Sequence, residues 1–165
     1  MSTSWKHIAD CLREELAGYG GLLHLFEEQQ RSLFERNPGA VLDLSTAIEV
    51  QAHSLASNRG RREQAVAEFA IEQGLPPTTT LRALLPRIEA DAQPLLEALI
   101  AEVNCLLHRV RRTSRHNHTL LASAVQVHQE TLEHLRPHAF TRTYAPSGRI
   151  STGAVRPPSA LRATG

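Results

Sequence analysis

Nine histidines, two cysteines and 17 acids stand among the 165 residues, and these are the side chains with which a protein handles protons, metals and nucleophiles. The densest histidine cluster is His116-Asn117-His118, a string shared with a nuclease signature. Residues two apart on a helix do not share a face, so this pair does not converge on one metal ion. The ββα context and the spaced partners of such a nuclease are also missing. His134 and His138 have helical spacing, but Pro137 between them breaks the helix that would align them. Cys11 and Cys105 have no base beside them in sequence and stand next to apolar rows, which suits buried, reduced thiols better than nucleophiles. Carboxylate pairs such as Glu14-Glu15 and Glu27-Glu28 fall on dispersed helix faces, whereas acid–base catalysis needs a pocket. There is no glycine-rich phosphate loop, no G-x-S-x-G elbow and no H-E-x-x-H. The expectation is a protein that is not an enzyme and holds no metal or cofactor.

Two basic clusters remain, Arg59/Arg61/Arg62 and Arg109/Arg111/Arg112/Arg115. Outward faces of packed helices account for both. Single-stranded nucleic acid would also want aromatic side chains for stacking, and the region of the second cluster has none. The net charge of +1 argues in the same direction, against bulk binding to nucleic acid or to a membrane surface. Its distribution is uneven. All 17 acids and 13 of the 18 basic residues lie at or before Glu133, while five arginines and no acid follow.

The elements that position these residues are helical. Apolar residues make up 41% of the chain but aromatics only 4%, so the hydrophobic content sits in Ala, Leu and Val and favours helices over sheets. From Thr3 to about Arg36 a row of Trp5, Leu12, Tyr19, Phe26 and Leu33 recurs every seven residues, with Ile8, Leu16 and Leu22 beside it. Four of the seven aromatics are here, so this helix is expected to supply the bulk of the core. Gly18, Gly20 and Gly21 weaken its middle by roughly 1 kcal/mol each relative to alanine. Asn37-Pro38-Gly39 reads as a turn that starts a second helix, carried to Gln73 by Val41, Ile48, Leu55 and Phe69 and stopped by Gly74-Leu75-Pro76-Pro77. A short helix after Thr80, holding Leu81, Leu84 and Leu85, is limited by Pro86.

The third long helix begins near Asp91 and ends at Arg136-Pro137. Its seam runs in alternating steps of three and four through Leu96, Leu99, Val103, Leu106 and Val110, and then through Thr113, Asn117, Leu120, Ala124, Val127 and Thr131. Some 45 residues make a rod of roughly 65–70 Å. The first half of the seam is large and aliphatic; the second carries four small or polar residues, Thr113, Asn117, Ala124 and Thr131, as if left for something else to fill. No apolar run exceeds four residues, Ala98 to Ala101, so no membrane span is expected, and two cysteines fit a reducing, cytoplasmic setting. After Pro137 the chain turns rich in Pro, Gly, Ser, Thr and Arg, a composition expected to be disordered, with Phe140 and Tyr144 as its large apolar anchors. The expected architecture is all-α: an elongated antiparallel bundle or coiled coil of three long helices over residues 1–137, with a flexible basic tail over 138–165.

Asn117-His118-Thr119-Leu120-Leu121, followed some twenty residues later by Thr143-Tyr144-Ala145-Pro146-Ser147-Gly148-Arg149, resembles the FlgN family of flagellar export chaperones. In that family a long last helix carries an Asn-x-x-Leu-Leu stretch and the chain then passes through a Thr-Tyr-acid-Pro-x-Gly-Arg element. Early Trp5 and the helix carrying Tyr19, Leu22, Leu23 and Gln30 fit as well. Ser114 stands where a second Asn is typical, and Ala145 replaces the acidic residue. The resemblance implies a cytoplasmic chaperone for type III export in flagellum assembly. Its clients would be the hook–filament junction proteins FlgK and FlgL, bound through their C-terminal helices, with the export apparatus as a further partner.

On that implication the partner-binding residues are Asn117, Leu120, Leu121, Ala124, Val127, Leu132 and Leu135, with Phe140 and Tyr144 closing over the client as a clasp. An amphipathic client helix would lie in the unfinished seam through anchors at i, i+3, i+4 and i+7. Two other readings stay open on the residues alone. A coiled-coil scaffold would fill the same seam with a second copy of itself, and a nucleic-acid adaptor would use the two arginine clusters and the tail.

Overall fold

The rows of apolar residues become three long helices in a computed structural model that describes residues 4–135 and, for their backbone, 140–144 and 150–154. Helix α1 spans Ser4–Phe34, α2 spans Pro38–Glu72, the short α3 spans Leu81–Leu84 with a 3₁₀ turn Leu85–Arg87 behind it, and α4 spans Gln93–Leu135. The chain divides into two units, Met1–His118 and Thr119–Gly165.

Local chemistry sets each boundary in the first unit. At the end of α1 the Asn37 N–H donates to the Ser32 carbonyl and the Arg36 N–H to that of Leu33, with Arg36 in the left-handed region at φ 56°. That pairing is the Schellman stop, in a residue other than glycine. Asn37 then caps α2, its Oδ1 accepting from the Ala40 N–H at 3.1 Å, and Pro38 occupies the first turn, where no N–H is missed. The same stop recurs after α2: Gly74 sits at φ 72°, and Leu75 N–H donates to the Ala70 carbonyl. Thr80 Oγ1 caps α3. A turn in which the Ala92 and Gln93 N–H groups donate to the Glu89 carbonyl leads into α4, two residues later than Asp91.

α1 and α2 form an antiparallel hairpin. Ser4 meets Glu72, Glu14 meets Arg61, and Gln29 meets Ser45. The close approach falls at Gly18, whose carbonyl accepts from Gln51 Nε2 at 3.2 Å. A Cβ there would lie 2.7 Å from Leu55 Cδ1, whereas Gly20 has nothing within 4 Å. The core gathers Ile8, Leu12 and Tyr19 of α1, Leu55, Val66 and Phe69 of α2, Leu84, Leu85 and Ile88 of the connection, and Leu96, Val103 and Val110 of α4. Each fully buried aliphatic side chain here is worth roughly 1.5–3 kcal/mol relative to exposure. Leu96, Val103 and Val110 are buried in this core and Asn117 reaches Phe26 and Gln29, so α4 runs beside α1 in the same sense up to His118.

Three expectations need correction in this unit. Phe34 was expected in the core with the other aromatics of α1, but it is 67% exposed, one residue past the row that ends at Leu33. Cys105 is exposed rather than buried, because it lies two residues from Val103 and five from Val110 and so on the opposite side of α4. Glu15 is not on a solvated face: it is 1% exposed. The arginine at which the α2 row fails explains it, since Arg62 Nε stands 3.1 Å from Glu15 Oε1.

In the second unit, strands β1 (Phe140–Tyr144) and β2 (Ile150–Ala154) pair antiparallel, Phe140 opposite Ala154 and Tyr144 opposite Ile150. These ten positions lie within the stretch expected to be flexible after Pro137. The short run Phe-Thr-Arg-Thr-Tyr is rich in strand-forming residues, and Ala-Pro-Ser-Gly-Arg separates it from a second run, which is a hairpin signal.

Candidate partner-binding surface

The surface is built on α4. Along its first part, residues spaced by seven are buried: Leu96, Val103, Val110 and Asn117. Asn117 is 1% exposed and its amide is spent inside the protein. Its Nδ2 donates to the Phe26 carbonyl at 2.7 Å and to Gln29 Oε1 at 3.1 Å. Gln29 Nε2 passes the chain to Ser45 Oγ at 3.0 Å, and Ser45 donates to the Val41 carbonyl at 2.8 Å. This polar relay crosses α4, α1 and α2 at one level and fixes their register, because a slip of any helix would strand buried amides. Within this relay, Asn117 Oδ1 is buried without a hydrogen-bond partner among the described residues.

From Thr119 onward the same spacing continues on side chains that the chain leaves open. Leu120 and Leu121 are half-buried and Ala124 is exposed. Val127 is 58%, Leu132 48% and Leu135 73% exposed. At 100° per residue these six positions fall within an arc of about 140°, one broad face of the helix. Val125, 54% exposed, belongs to that face and is missing from the sequence reading. Its signal was present: Leu121, Val125 and Leu132 form a second row in steps of four and seven, beside the seam that drew attention. The backbone of Phe140 and Tyr144 opens and closes β1, and their side chains lie outside the described residues.

The remaining reactive groups are scattered. His116, His118 and His134 are exposed on α4, and His138 lies outside the described residues. Among the described residues no group of three or more His, Cys, Asp or Glu side chains is placed to hold a metal ion. Cys11 is buried, 4.0 Å from His7 Nε2; burial, with neighbouring Glu14 adding to it, pushes its thiol pKa up and away from reactivity. Burial likewise raises the Glu15 carboxyl, only partly offset by the Arg62 and Arg59 guanidinium groups. No described helix is long and apolar enough to cross a membrane.

The sequence profile of the FlgN family, described as FlgN protein, matches residues 1–152. No curated protein and no solved structure gives a significant match.

Proposed function

The chain belongs to the FlgN family of flagellar export chaperones, a family of chaperones and not of enzymes, and from that premise we propose that it works in the cytoplasm. There it holds the C-terminal helical segments of hook–filament junction proteins of the FlgK and FlgL type before type III secretion. The observation that carries this reading is the row of exposed aliphatic side chains on the last third of α4, Val125, Val127, Leu132 and Leu135. A monomeric protein rarely leaves such a row open without a use for it. An amphipathic client helix offers the matching face, with anchors repeating at three and four residues.

The roles divide. Leu120, Leu121, Ala124, Val125, Val127, Leu132 and Leu135 form the floor. Asn117 acts one step back, as a positioning residue that fixes α4 against Phe26 and Gln29. Phe140 and Tyr144, five and nine residues beyond Leu135, close over the bound helix. Small residues in the seam allow the client to approach closely, and ordering on binding offsets part of the gross affinity, which keeps the complex releasable for export. Calorimetric titration with a purified C-terminal segment of a junction protein tests the reading. Leu120→Asp together with Val127→Asp is expected to weaken binding about a hundredfold, as loss of central apolar anchors does. Unchanged affinity in that variant would refute the assignment.

A further inference from the structure

The middle of α4 presents a second surface, wholly within the first unit and distinct from the floor above. Cys105, His108, Arg109, Arg112 and Arg115 line a shallow cavity on one side of the helix. All five are exposed, and their spacing of three, four and seven places them opposite the buried row of Val103, Val110 and Asn117. Arg111 and His116 flank them, also exposed.

The arginines elsewhere in the long helices behave differently. In α1 and α2 every arginine is ion-paired: Arg13 with Asp10, Arg31 with Glu28, Arg59 with Glu63, Arg61 with Glu14 and Arg62 with Glu15. In α4 no acid occurs between Glu102 and Glu130, and Arg109, Arg111 and Arg112 meet no carboxylate among the described residues. α1 and α2 carry five carboxylates each against three basic side chains, so Arg109, Arg111 and Arg112 stand out from an acidic surrounding.

We propose that this face of α4 docks an acidic helical segment of a partner protein. Charge complementarity names the sign. The geometry names the shape, since a straight row with helical spacing rises about 5 Å per step and is matched step for step by carboxylates at i, i+3 or i+4, and i+7 of another helix. The long arginine stems and Cys105 add an apolar bed on which a helix can lie while the guanidinium heads reach its flanks. Nucleic acid is the poorer fit because α4 carries no aromatic side chain on which a base could stack.

Fluorescence anisotropy on the full chain tests this. The probe is a fluorescein-labelled, alanine-based helical peptide with glutamates spaced alternately by three and four residues. Its controls are a peptide of equal composition with glutamates spread around the helix, and a single-stranded oligodeoxynucleotide. Saturable binding of the striped peptide is expected, weakened about tenfold by Arg109→Glu with Arg112→Glu and by less in Arg109→Gln with Arg112→Gln. Circular dichroism of both variants is expected to match the parent, since neither side chain is buried. Absence of binding, equal binding of the scrambled peptide, tighter binding of the oligonucleotide, or indifference to the charge reversal would each overturn the proposal.

Discussion

Gly18 and Gly20 lie two residues apart in the same helix and make opposite predictions. Both lower helix propensity, and alanine at an open site recovers roughly 0.5–1 kcal/mol. Gly20→Ala meets open space and is expected to stabilise by that amount. Gly18→Ala drives a Cβ to within 2.7 Å of the buried Leu55 side chain and is expected to lower stability by about 1 kcal/mol after the helix gain. Chemical denaturation of the two variants checks both signs. Glu15 supplies a second residue-scale prediction. Its folded pKa is raised above the ordinary 4.5, so the folded state holds the proton more tightly than the unfolded chain. The stability from this group is therefore full below about 4.5 and lost as pH rises through the raised value. Glu15→Gln keeps the shape and removes the titration. The melting temperature of the variant relative to the parent is expected to rise from acid to neutral pH; a constant difference would contradict the assignment. Arg62→Ala acts in the other direction, leaving the buried carboxylate alone at a cost of about 3 kcal/mol at neutral pH.

At the scale of elements, the three long helices and their stops were readable because apolar periodicity, Asn37-Pro38 and Gly74-Leu75-Pro76 are local signals. What stayed hidden depends on neighbours that the local pattern does not name. Nothing in the α1 row announces that Glu15 is buried, because its partner Arg62 stands 47 positions on and interrupts another helix's row. Asn117 stands in the seam as a polar residue assigned to the partner surface, but the relay that buries it against Gln29 and Ser45 depends on the register of all three helices. The β1–β2 pairing was missed because Pro, Gly and Arg content dominated the reading of a segment whose Thr, Phe, Tyr and Ile alternate with strand spacing. The exposed face of α4 is partly legible in the periodicity: Leu120, Ala124 and Val127 belong to the seam, while Leu121, Val125, Leu132 and Leu135 lie beside it. Asn117→Ala is expected to cost about 2 kcal/mol, because the Phe26 carbonyl and the Gln29 amide lose a buried partner. Leu120→Asp with Val127→Asp is expected to change stability by no more than about 1 kcal/mol, since Val127 is exposed and Leu120 only half-buried. That contrast, read by thermal melting beside the titration, separates holding the helix from holding the client.

Across the whole molecule, the net charge of +1 conceals an acidic helical body and an acid-free, arginine-bearing end after Glu133. Removing residues 137–165 takes away β1, β2 and the two aromatics together, and is expected to weaken client binding about tenfold while leaving the body's melting temperature unchanged. Affinity untouched by that cut would remove Phe140 and Tyr144 from the binding account. Client binding by one face of α4 is tested by placing a reporter on each side of the helix. A photo-crosslinking amino acid at Val127 or Leu132 sits on the aliphatic side of α4, and one at Gln126 or Glu130 on the far side. Irradiation with a bound junction-protein segment is predicted to give covalent adducts from the first pair and none from the second. Equal adducts from both sides, or adducts from Gln126 and Glu130 alone, would contradict the account.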